Sequence, residues 1–372
     1  MPAFDPIASV RVRTVRIPAR ATHSHGSGDV SAVNTIVLEV TTEGGVTGWG
    51  EASPWAVFTG TIEANVGALE MMRPFLVGAN PLEVERLLAV FARTVVHCSE
   101  AKAALETALL DIAGRKSGLS VAELVGGRCR DSIPLSFSVA NPDFDADLET
   151  VAALHADGVR LFKMKTGFAG HRFDLMRLER LRRDYDDLDL RVDYNQGMSA
   201  YDAIRQLRDI ETFRPTFIEQ PLPKHNLEGM ARIAHALDTP LLADESVFDP
   251  REALVAVRME LADLFSLKIM KSGGIRRALE VAAIARAAGI GVYGGCMFET
   301  GIAHAAGTHL MAAIPDLELG CEFYMSTYYL KEDILAEPFP VRNGQVHVPT
   351  GPGLGVEVDR ARLDRFTLSV AG

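Results

Sequence analysis

The chain of 372 residues is longer than one ordinary domain, and at roughly 150 residues per domain it predicts two or three units. Its hydrophobic content of 48% suffices for a large core, which excludes disorder as the main state. The 38 Lys and Arg residues against 49 Asp and Glu residues give a net charge of −11. Because an acidic chain without a basic stripe repels phosphate backbones, we predict no nucleic-acid partner.

Cysteine usage and hydropathy indicate where the protein resides. Cys98, Cys129, Cys296 and Cys321 lack paired metal-binding spacing and are too few for a disulfide scaffold, which is typical of reduced thiols. The longest apolar run, residues 287–298, is shorter than the roughly 18 residues that a membrane span requires. The N-terminus lacks the apolar block of a signal peptide. We therefore expect a cytoplasmic protein without a membrane partner.

The first 130 residues show the pattern of a small α+β domain. Alternating apolar residues at 35–40 and 46–49 predict a hairpin. Helical periodicity then predicts three helices, at Thr61–Leu76, Pro81–Val95 and Ser99–Lys116. Asn80 before Pro81 is typical of a helix N-cap followed by a favoured first helical residue, so we expect the second helix to begin there.

From residue 131 to residue 325, short apolar runs alternate with amphipathic helical stretches. The runs that we predict as strands are Ile133–Val139, Leu161–Lys165, Leu190–Tyr194, Thr216–Glu219, Leu241–Asp244, Leu264–Ile269, Ile290–Tyr293 and Leu317–Cys321. Eight strands with helices between them predict a (β/α) barrel, and the lack of a glycine-rich dinucleotide fingerprint disfavours an open doubly wound sheet. We expect residues 326–372 to return as a tail to the first domain, residues 1–130.

Charged residues stand at the ends of five consecutive predicted strands, where the active site of such a barrel lies. Lys165, Asp193, Glu219, Asp244 and Lys268 are separated by 28, 26, 25 and 24 residues, about one βα unit each. Neighbouring strands lie about 4.8 Å apart, so the three carboxylates are expected to converge. Carboxylates without Cys or His predict a hard divalent cation, Mg²⁺ or Mn²⁺, with open positions for substrate oxygens.

The lysines indicate the type of reaction. Lys163 and Lys165 are two residues apart on one strand, so both should point into the barrel and lower each other's pKa. A lysine brought toward neutrality can act as a general base. Lys268, four strands further on, should lie opposite them in a ring of eight. This arrangement suits proton transfer at a carbon α to a carboxylate.

Five motifs in this order and spacing identify a family. They are Lys163-Met164-Lys165, Asp193-Tyr194-Asn195-Gln196, Glu219-Gln220-Pro221, Ala243-Asp244-Glu245-Ser246, and Leu267-Lys268 with Gly273-Gly274. With them the chain resembles the enolase superfamily, in its muconate-lactonizing-enzyme subgroup, over nearly its whole length. The resemblance implies an α/β fold, namely a modified (β/α)7β barrel with an α+β capping domain built from the N-terminal region and the C-terminal tail.

The same resemblance implies roles for the residues of these motifs. It implies Asp193, Glu219 and Asp244 as ligands of Mg²⁺ or Mn²⁺. It further implies Lys165 and Lys268 as the acid and base, and Lys163 as the residue that tunes Lys165. Members of the family often assemble, so a homo-oligomer is expected.

Three further segments look like muconate cycloisomerases: Gly289–Gly301, residues 320–323 and residues 351–357. The resemblance therefore implies a muconate or substituted-muconate cycloisomerase, which acts on a small carboxylate and forms a lactone through a metal-stabilised enolate. Strand seven ends in Gly294-Gly295-Cys296, without the histidine of the mandelate-racemase branch. Glu322-Phe323-Tyr324 stands where dipeptide epimerases carry an Asp-x-Asp pair. Both mandelate-racemase and dipeptide-epimerase activity are therefore disfavoured.

The residues expected to contact substrate are Asn195, Glu322, Trp55, Phe58 and His25. Trp55 and Phe58 lie in the loop that closes over the substrate in this family, and they are bulkier than muconate enzymes lead one to expect. His25 lies in Thr22–Val30, a segment rich in glycine and serine that we predict to be a mobile lid loop.

Two other functions stay open. A racemase, an epimerase or an o-succinylbenzoate synthase-like enzyme acting on an N-acylated amino acid or related carboxylate would use the same two lysines. A non-catalytic metal-binding barrel would show damage among the motif residues, and all of them are intact.

Overall fold

The computed structural model describes residues 4–371, and the chain opens with an antiparallel sheet followed by helices. The elements of this first part are β1 (Ile7–His25), β2 (Gly28–Thr42), β3 (Thr47–Ala52), α1 (Ile62–Leu76), α2 (Val84–Thr94), α3 (Ser99–Ser117) and α4 (Val121–Leu124). α3 packs against β3 at Gly48 and Gly50, where any Cβ would collide with the helix. No helix within residues 4–371 combines the length and apolar character that a membrane crossing needs.

The middle of the chain alternates strands and helices. Its elements are β4 (Ser132–Pro134), β5 (Ser136–Val139), α5 (Phe144–Ala156), β6 (Leu161–Lys165), α6 (His171–Asp184), β7 (Asp189–Asp193), α7 (Ala203–Glu211), β8 (Ile218–Glu219), α8 (Leu227–Ala236), β9 (Leu241–Ala243), α9 (Pro250–Arg258), β10 (Leu264–Leu267), α10 (Ile269–Ser272), α11 (Ile275–Ala288), β11 (Gly291–Gly294) and α12 (Gly301–Ala312). Strands β5 to β11 form one parallel sheet in chain order. The fold is therefore α/β, with a curled parallel sheet and crossover helices.

The last part of the chain contacts both preceding parts. It contains a π-helical turn (Met325–Tyr329), β12 (Val341–Arg342), β13 (Gln345–His347), α13 (Arg360–Phe366) and β14 (Thr367–Ala371). β13 pairs with β4, and β14 pairs with β1 at the edge of the first sheet, whose order is β14-β1-β2-β3.

The eighth predicted strand, Leu317–Cys321, is not a strand. Gly320 has a φ of 77°, which breaks the extended conformation, and Cys321 alone forms isolated parallel bridges. These bridges join Cys321 to Gly294 on one side and to Leu135 on the other, so this residue spans the two edges of the seven-stranded sheet. The first predicted barrel strand is likewise interrupted at Leu135.

Two other predicted elements differ from the structure. The second helix begins at Val84 rather than at Pro81, because the side chain of Asn80 accepts from the backbone N–H of Leu82 and closes a turn instead. The predicted lid loop Thr22–Val30 is the tip of the β1–β2 hairpin. The ladder continues to the pair His25 and Gly28, so the segment has regular structure.

Candidate active site

Five charged side chains lie at the carboxyl edge of the parallel sheet, and all are buried. Lys165, Asp193 and Glu219 end β6, β7 and β8, and the strand register places each opposite the next. Asp244 directly follows β9, and Lys268 directly follows β10. Because parallel neighbours end at the same edge, strand order alone brings these residues together.

Lys163 is the centre of a buried network of carboxylates. Its Nζ donates to Glu219 Oε2 at 2.7 Å and to Glu322 Oε2 at 2.9 Å, and lies 3.1 Å from Asp193 Oδ2. Burial lowers the pKa of Lys163, but the charges of Glu219, Glu322 and Asp193 outweigh it and hold that pKa well above its ordinary value. The expectation that a neighbouring lysine lowers the pKa of Lys163 is therefore wrong, because three carboxylates surround it.

The other two lysines each bind one of the predicted metal ligands. Lys165 Nζ donates to Asp193 Oδ2 at 2.5 Å and to Asn195 Oδ1 at 3.1 Å. Lys268 Nζ donates to Asp244 Oδ2 at 2.5 Å. Burial lowers the pKa of Lys268, but nearby negative charge, led by that of Asp244, raises it above the ordinary value. Both lysines line the same pocket, so two amino groups face one space.

The three carboxylates differ in their protonation. Burial raises the pKa of Asp193, but the charges of Lys165 and Lys163 outweigh it and bring that pKa to about 2. The pKa of Asp244 is also lowered, because lysine charges outweigh its burial. Burial, together with the charge of Asp193, raises the pKa of Glu219 to about 8. Glu219 thus holds a proton more tightly than Asp193 and Asp244 do.

These carboxylates match a hard divalent cation in chemistry. All three are buried, and Glu219 Oε1 has no hydrogen-bond partner. Within residues 4–371, no three His, Cys, Asp or Glu side chains converge closely enough to hold a metal ion, and each of the three carboxylates is paired with a lysine. An all-oxygen donor set is the kind that Mg²⁺ and Mn²⁺ prefer. An incoming ion would therefore compete with the lysines for these oxygens.

Three polar residues of this network were not predicted as site residues. Glu245 lines the pocket and accepts from Asn195 Nδ2 at 3.3 Å, and its burial raises its pKa to about 8. Lys271 Nζ donates to the backbone oxygen of Asp244 at 2.7 Å, and Ser138 Oγ donates to Glu322 at 3.0 Å. Glu245 directly follows a predicted ligand, which was the available signal. Nothing in the sequence points to Ser138.

Aromatic side chains also line the pocket. His25, Trp55 and Phe58 all line it, and the rings of His25 and Trp55 meet edge to face with centroids 4.3 Å apart. Asn195 and Glu322 line the pocket as well. The lining residues that were not predicted as site residues are His23, Ser138, Glu245, Cys296, Met297, Phe298, Tyr324 and Met325. The structure thus gathers all predicted substrate-contacting residues around one space.

Family models match both parts of the chain. Residues 146–362 match the enolase C-terminal domain-like family, and residues 7–126 match the N-terminal domain of mandelate racemase and muconate lactonizing enzyme. The chain belongs to this family within the enolase superfamily, in the muconate-lactonizing-enzyme subgroup. It is accordingly an enzyme, a metal-dependent isomerase of the cycloisomerase type.

Relatives and solved structures cover nearly the whole chain. Muconate cycloisomerase 1 of Acinetobacter baylyi is 30% identical over 367 residues, which are 96% of this chain and 98% of that protein. A muconate cycloisomerase structure from Azorhizobium caulinodans is 47% identical with a TM-score of 0.86, covering 98% and 99% of the two chains. The N-succinyl Arg/Lys racemase of Bacillus cereus is 29% identical with a TM-score of 0.93, also covering 98% and 99%.

Proposed function

We propose that this enzyme is a muconate or substituted-muconate cycloisomerase, which closes a lactone by adding one carboxylate of the substrate to a carbon–carbon double bond. The observation that carries the proposal is the placement of Lys165 and Lys268 around one pocket, with three buried carboxylates beside them. The similarity to proteins named muconate cycloisomerases, at 30% and 47% identity, supports this choice of substrate.

Asp193, Glu219 and Asp244 would hold Mg²⁺ or Mn²⁺. When bound, the cation would offset the negative charge that builds up on the substrate carboxylate next to the reacting carbon. The network around Lys163 keeps that lysine charged, so its part is electrostatic: it fixes Glu219 and Glu322 and faces Asp193.

Lys165 and Lys268 would carry the proton. As the ring closes, the double-bond electrons move to the carbon α to the second carboxylate, and an ammonium group delivers a proton to that carbon. The lysine that gives up its proton would take up another one from solvent, or from the substrate carbon in the reverse reaction. Asn195, Glu322, Trp55, Phe58 and His25 would contact the substrate, as their place in the pocket supports.

We infer a modified (β/α)7β barrel, residues 131–325, in which the bridges at Cys321 stand in place of an eighth strand. Residues 1–130 and the tail, residues 326–372, would form the capping domain, supported by the pairing of β14 with β1. A cytoplasmic location and a homo-oligomeric state stay predictions.

A racemase acting on an N-acylated amino acid is the second candidate. The observation in its favour is the Bacillus cereus racemase, whose structure matches this one with a TM-score of 0.93. A racemase needs a proton carrier on each side of the α-carbon and the lactone-forming reaction needs only one, so the two lysines could serve either reaction.

The deciding measurement is the ultraviolet absorbance of cis,cis-muconate with purified enzyme, with and without Mn²⁺. Lactone formation breaks the conjugated diene, so we expect the absorbance to fall only when the metal is present. Unchanged absorbance would contradict the cycloisomerase proposal. In that event, metal-dependent exchange of the α-proton of N-succinyl-arginine in D₂O would establish the racemase instead.

A further inference from the structure

Two lysines supply the formal positive charge of the pocket. Among the pocket residues that the structure describes, the cations are Lys165 and Lys268, and both already bind carboxylates of the protein. The hairpin tip and the loop after β3 contribute His25 and Trp55 to the same pocket. A substrate with two carboxylates therefore meets no unpaired lysine among these residues.

Hydrogen bonding determines which nitrogen of His25 holds the proton. Its Nδ1 accepts from the backbone N–H of Ser27 at 3.2 Å, so the neutral ring carries its hydrogen on Nε2. Burial lowers the pKa of His25 to about 4, and the charge of Lys165 adds to this, so the ring is neutral at pH 7. Nε2 is buried and has no partner in the protein. A buried N–H without an acceptor destabilises the free enzyme, and an acceptor oxygen on a bound ligand would satisfy it.

The hairpin tip that carries His25 is firmly docked. The backbone N–H of Ser24 donates to Ala140 at 2.7 Å, and Ser27 Oγ donates to the backbone oxygen of Asn195 at 2.9 Å. The rings of Trp55 and His25 pack edge to face. The direction of the free Nε2–H is thus set before any ligand arrives.

We propose that His25 Nε2–H is the hydrogen-bond donor that orients the attacking carboxylate of the substrate. This inference rests on the proposed lactone-forming function and names the residue that serves its nucleophile. In the step, a carboxylate oxygen donates an electron pair to form the new C–O bond, and the double-bond electrons pass to the α-carbon. That carbon takes one proton from a lysine ammonium group, so no atom or electron is left over.

A neutral donor suits this nucleophile better than a cation does. The attacking carboxylate loses its charge as the C–O bond forms, whereas hydrogen bonds from cations to carboxylates are roughly twice as strong as neutral ones. A cation would therefore stabilise the substrate more than the transition state, which slows the reaction. One neutral N–H fixes the position of the carboxylate and leaves it reactive.

The test compares two substitutions in a binding assay that needs no turnover. His25→Phe keeps an aromatic ring against Trp55 but removes the donor, while His25→Gln keeps a neutral N–H. With Mg²⁺ present, calorimetry measures the affinity for adipate, a saturated dicarboxylate, and for hexanoate, its monocarboxylate match. We expect His25→Phe to weaken adipate about 10-fold, as one hydrogen bond of about 1.4 kcal/mol would, and hexanoate less than about 3-fold. His25→Gln should stay within about 3-fold of the unaltered enzyme for both.

Equal adipate affinity in His25→Phe and the unaltered enzyme would overturn the inference, as would equal losses in both variants. A lack of muconate turnover by the unaltered enzyme would instead refute the proposed function, and the adipate result would still decide the role of His25 as a donor. If the variants do not fold, ¹⁵N-histidine resonances of the unaltered enzyme decide the question. We expect one Nε2–H tautomer whose Nε2 resonance moves when adipate binds, and an Nδ1–H tautomer or an adipate-insensitive resonance would contradict the proposal.

Discussion

The three lysines of this site have different surroundings. Lys163 is enclosed by carboxylates and faces three of them, whereas Lys165 contacts Asp193 and an amide oxygen. Lys268 binds Asp244 from the other end of the row of strands. The proposed proton carriers, Lys165 and Lys268, are thus each paired with one carboxylate, whereas Lys163 is paired with three.

Lys165→Ala tests this division at the level of one residue. We expect turnover of the true substrate to fall about 10³-fold, because the proton carrier is lost. The midpoint of thermal unfolding should change by less than about 4 °C, since Lys163 still lies 3.1 Å from Asp193 and offsets its charge. Turnover and thermal unfolding are measured on the same preparation. The exposed Lys331→Ala is the control, and near-normal turnover in Lys165→Ala would remove Lys165 from the mechanism.

Among the elements, the β1–β2 hairpin contributes His23 and His25 to the pocket. Its tip meets the loop after β7 backbone to backbone, because Gly26 packs directly on Gly197 and on the carbonyl oxygen of Tyr194. A side chain at position 26 has no space there. The position of the hairpin tip in the pocket therefore depends on Gly26.

Gly26→Ala should displace the hairpin tip. A Cβ at this position would lie 3.3 Å from the Cα of Gly197 and closer still to Tyr194 O, so the tip must move outward. We expect kcat/KM to fall about 10-fold, equivalent to about 1.4 kcal/mol, because His25 moves with the tip. Steady-state kinetics measure the effect. Ser31→Ala, an exposed position on the same hairpin, is the control, and equal kinetics in the two variants would contradict the docking argument.

At the scale of the whole molecule, two buried carboxylates of the first part cap helices of the second. Glu51 accepts from the backbone N–H of Thr300 at 2.9 Å and of Ala303 at 3.0 Å, at the start of α12. Glu106 on α3 accepts from the backbone N–H groups of Ile275 and Arg276 at the start of α11. Helix N-termini attract negative charge, so both carboxylates join the two parts of the chain.

Glu106 should make the contact between α3 and the start of α11 sensitive to pH. Burial raises its pKa from an ordinary 4.5 to about 7, so the folded state holds the proton more tightly than the unfolded state. Its contribution to the free energy of unfolding is therefore greatest below about pH 4.5 and falls as the pH rises to about 7, by on the order of 3 kcal/mol.

Urea unfolding from pH 5 to pH 8 measures this effect. We expect the stability of the unaltered enzyme to fall relative to Glu106→Gln as the pH rises, because glutamine does not titrate. The exposed Glu43→Gln controls for the loss of a surface carboxylate. A difference between the enzyme and Glu106→Gln that does not change with pH would show that the charge on Glu106 is tolerated without cost.

The row of strand-end residues could be predicted because it depends on local pattern. Apolar runs at intervals of about one βα unit define the parallel strands, and each run ends in the residue that points over the sheet. Lys165, Asp193 and Glu219 end their strands as expected, and the family models match the chain on both sides of residue 130. The resemblance to the superfamily is thus confirmed.

Other features depend on contacts between segments far apart in the chain. The sequence by itself determined the order of the strands, the charged row at their ends and the family, since periodicity and motif spacing are local properties. Only the tertiary structure decided that Cys321 forms isolated bridges instead of a strand and that residues 22–30 form a hairpin tip. It alone decided that the pKa of Lys163 is raised rather than lowered. Each of these outcomes depends on which distant groups surround a residue after folding, and spacing along the chain does not encode that environment.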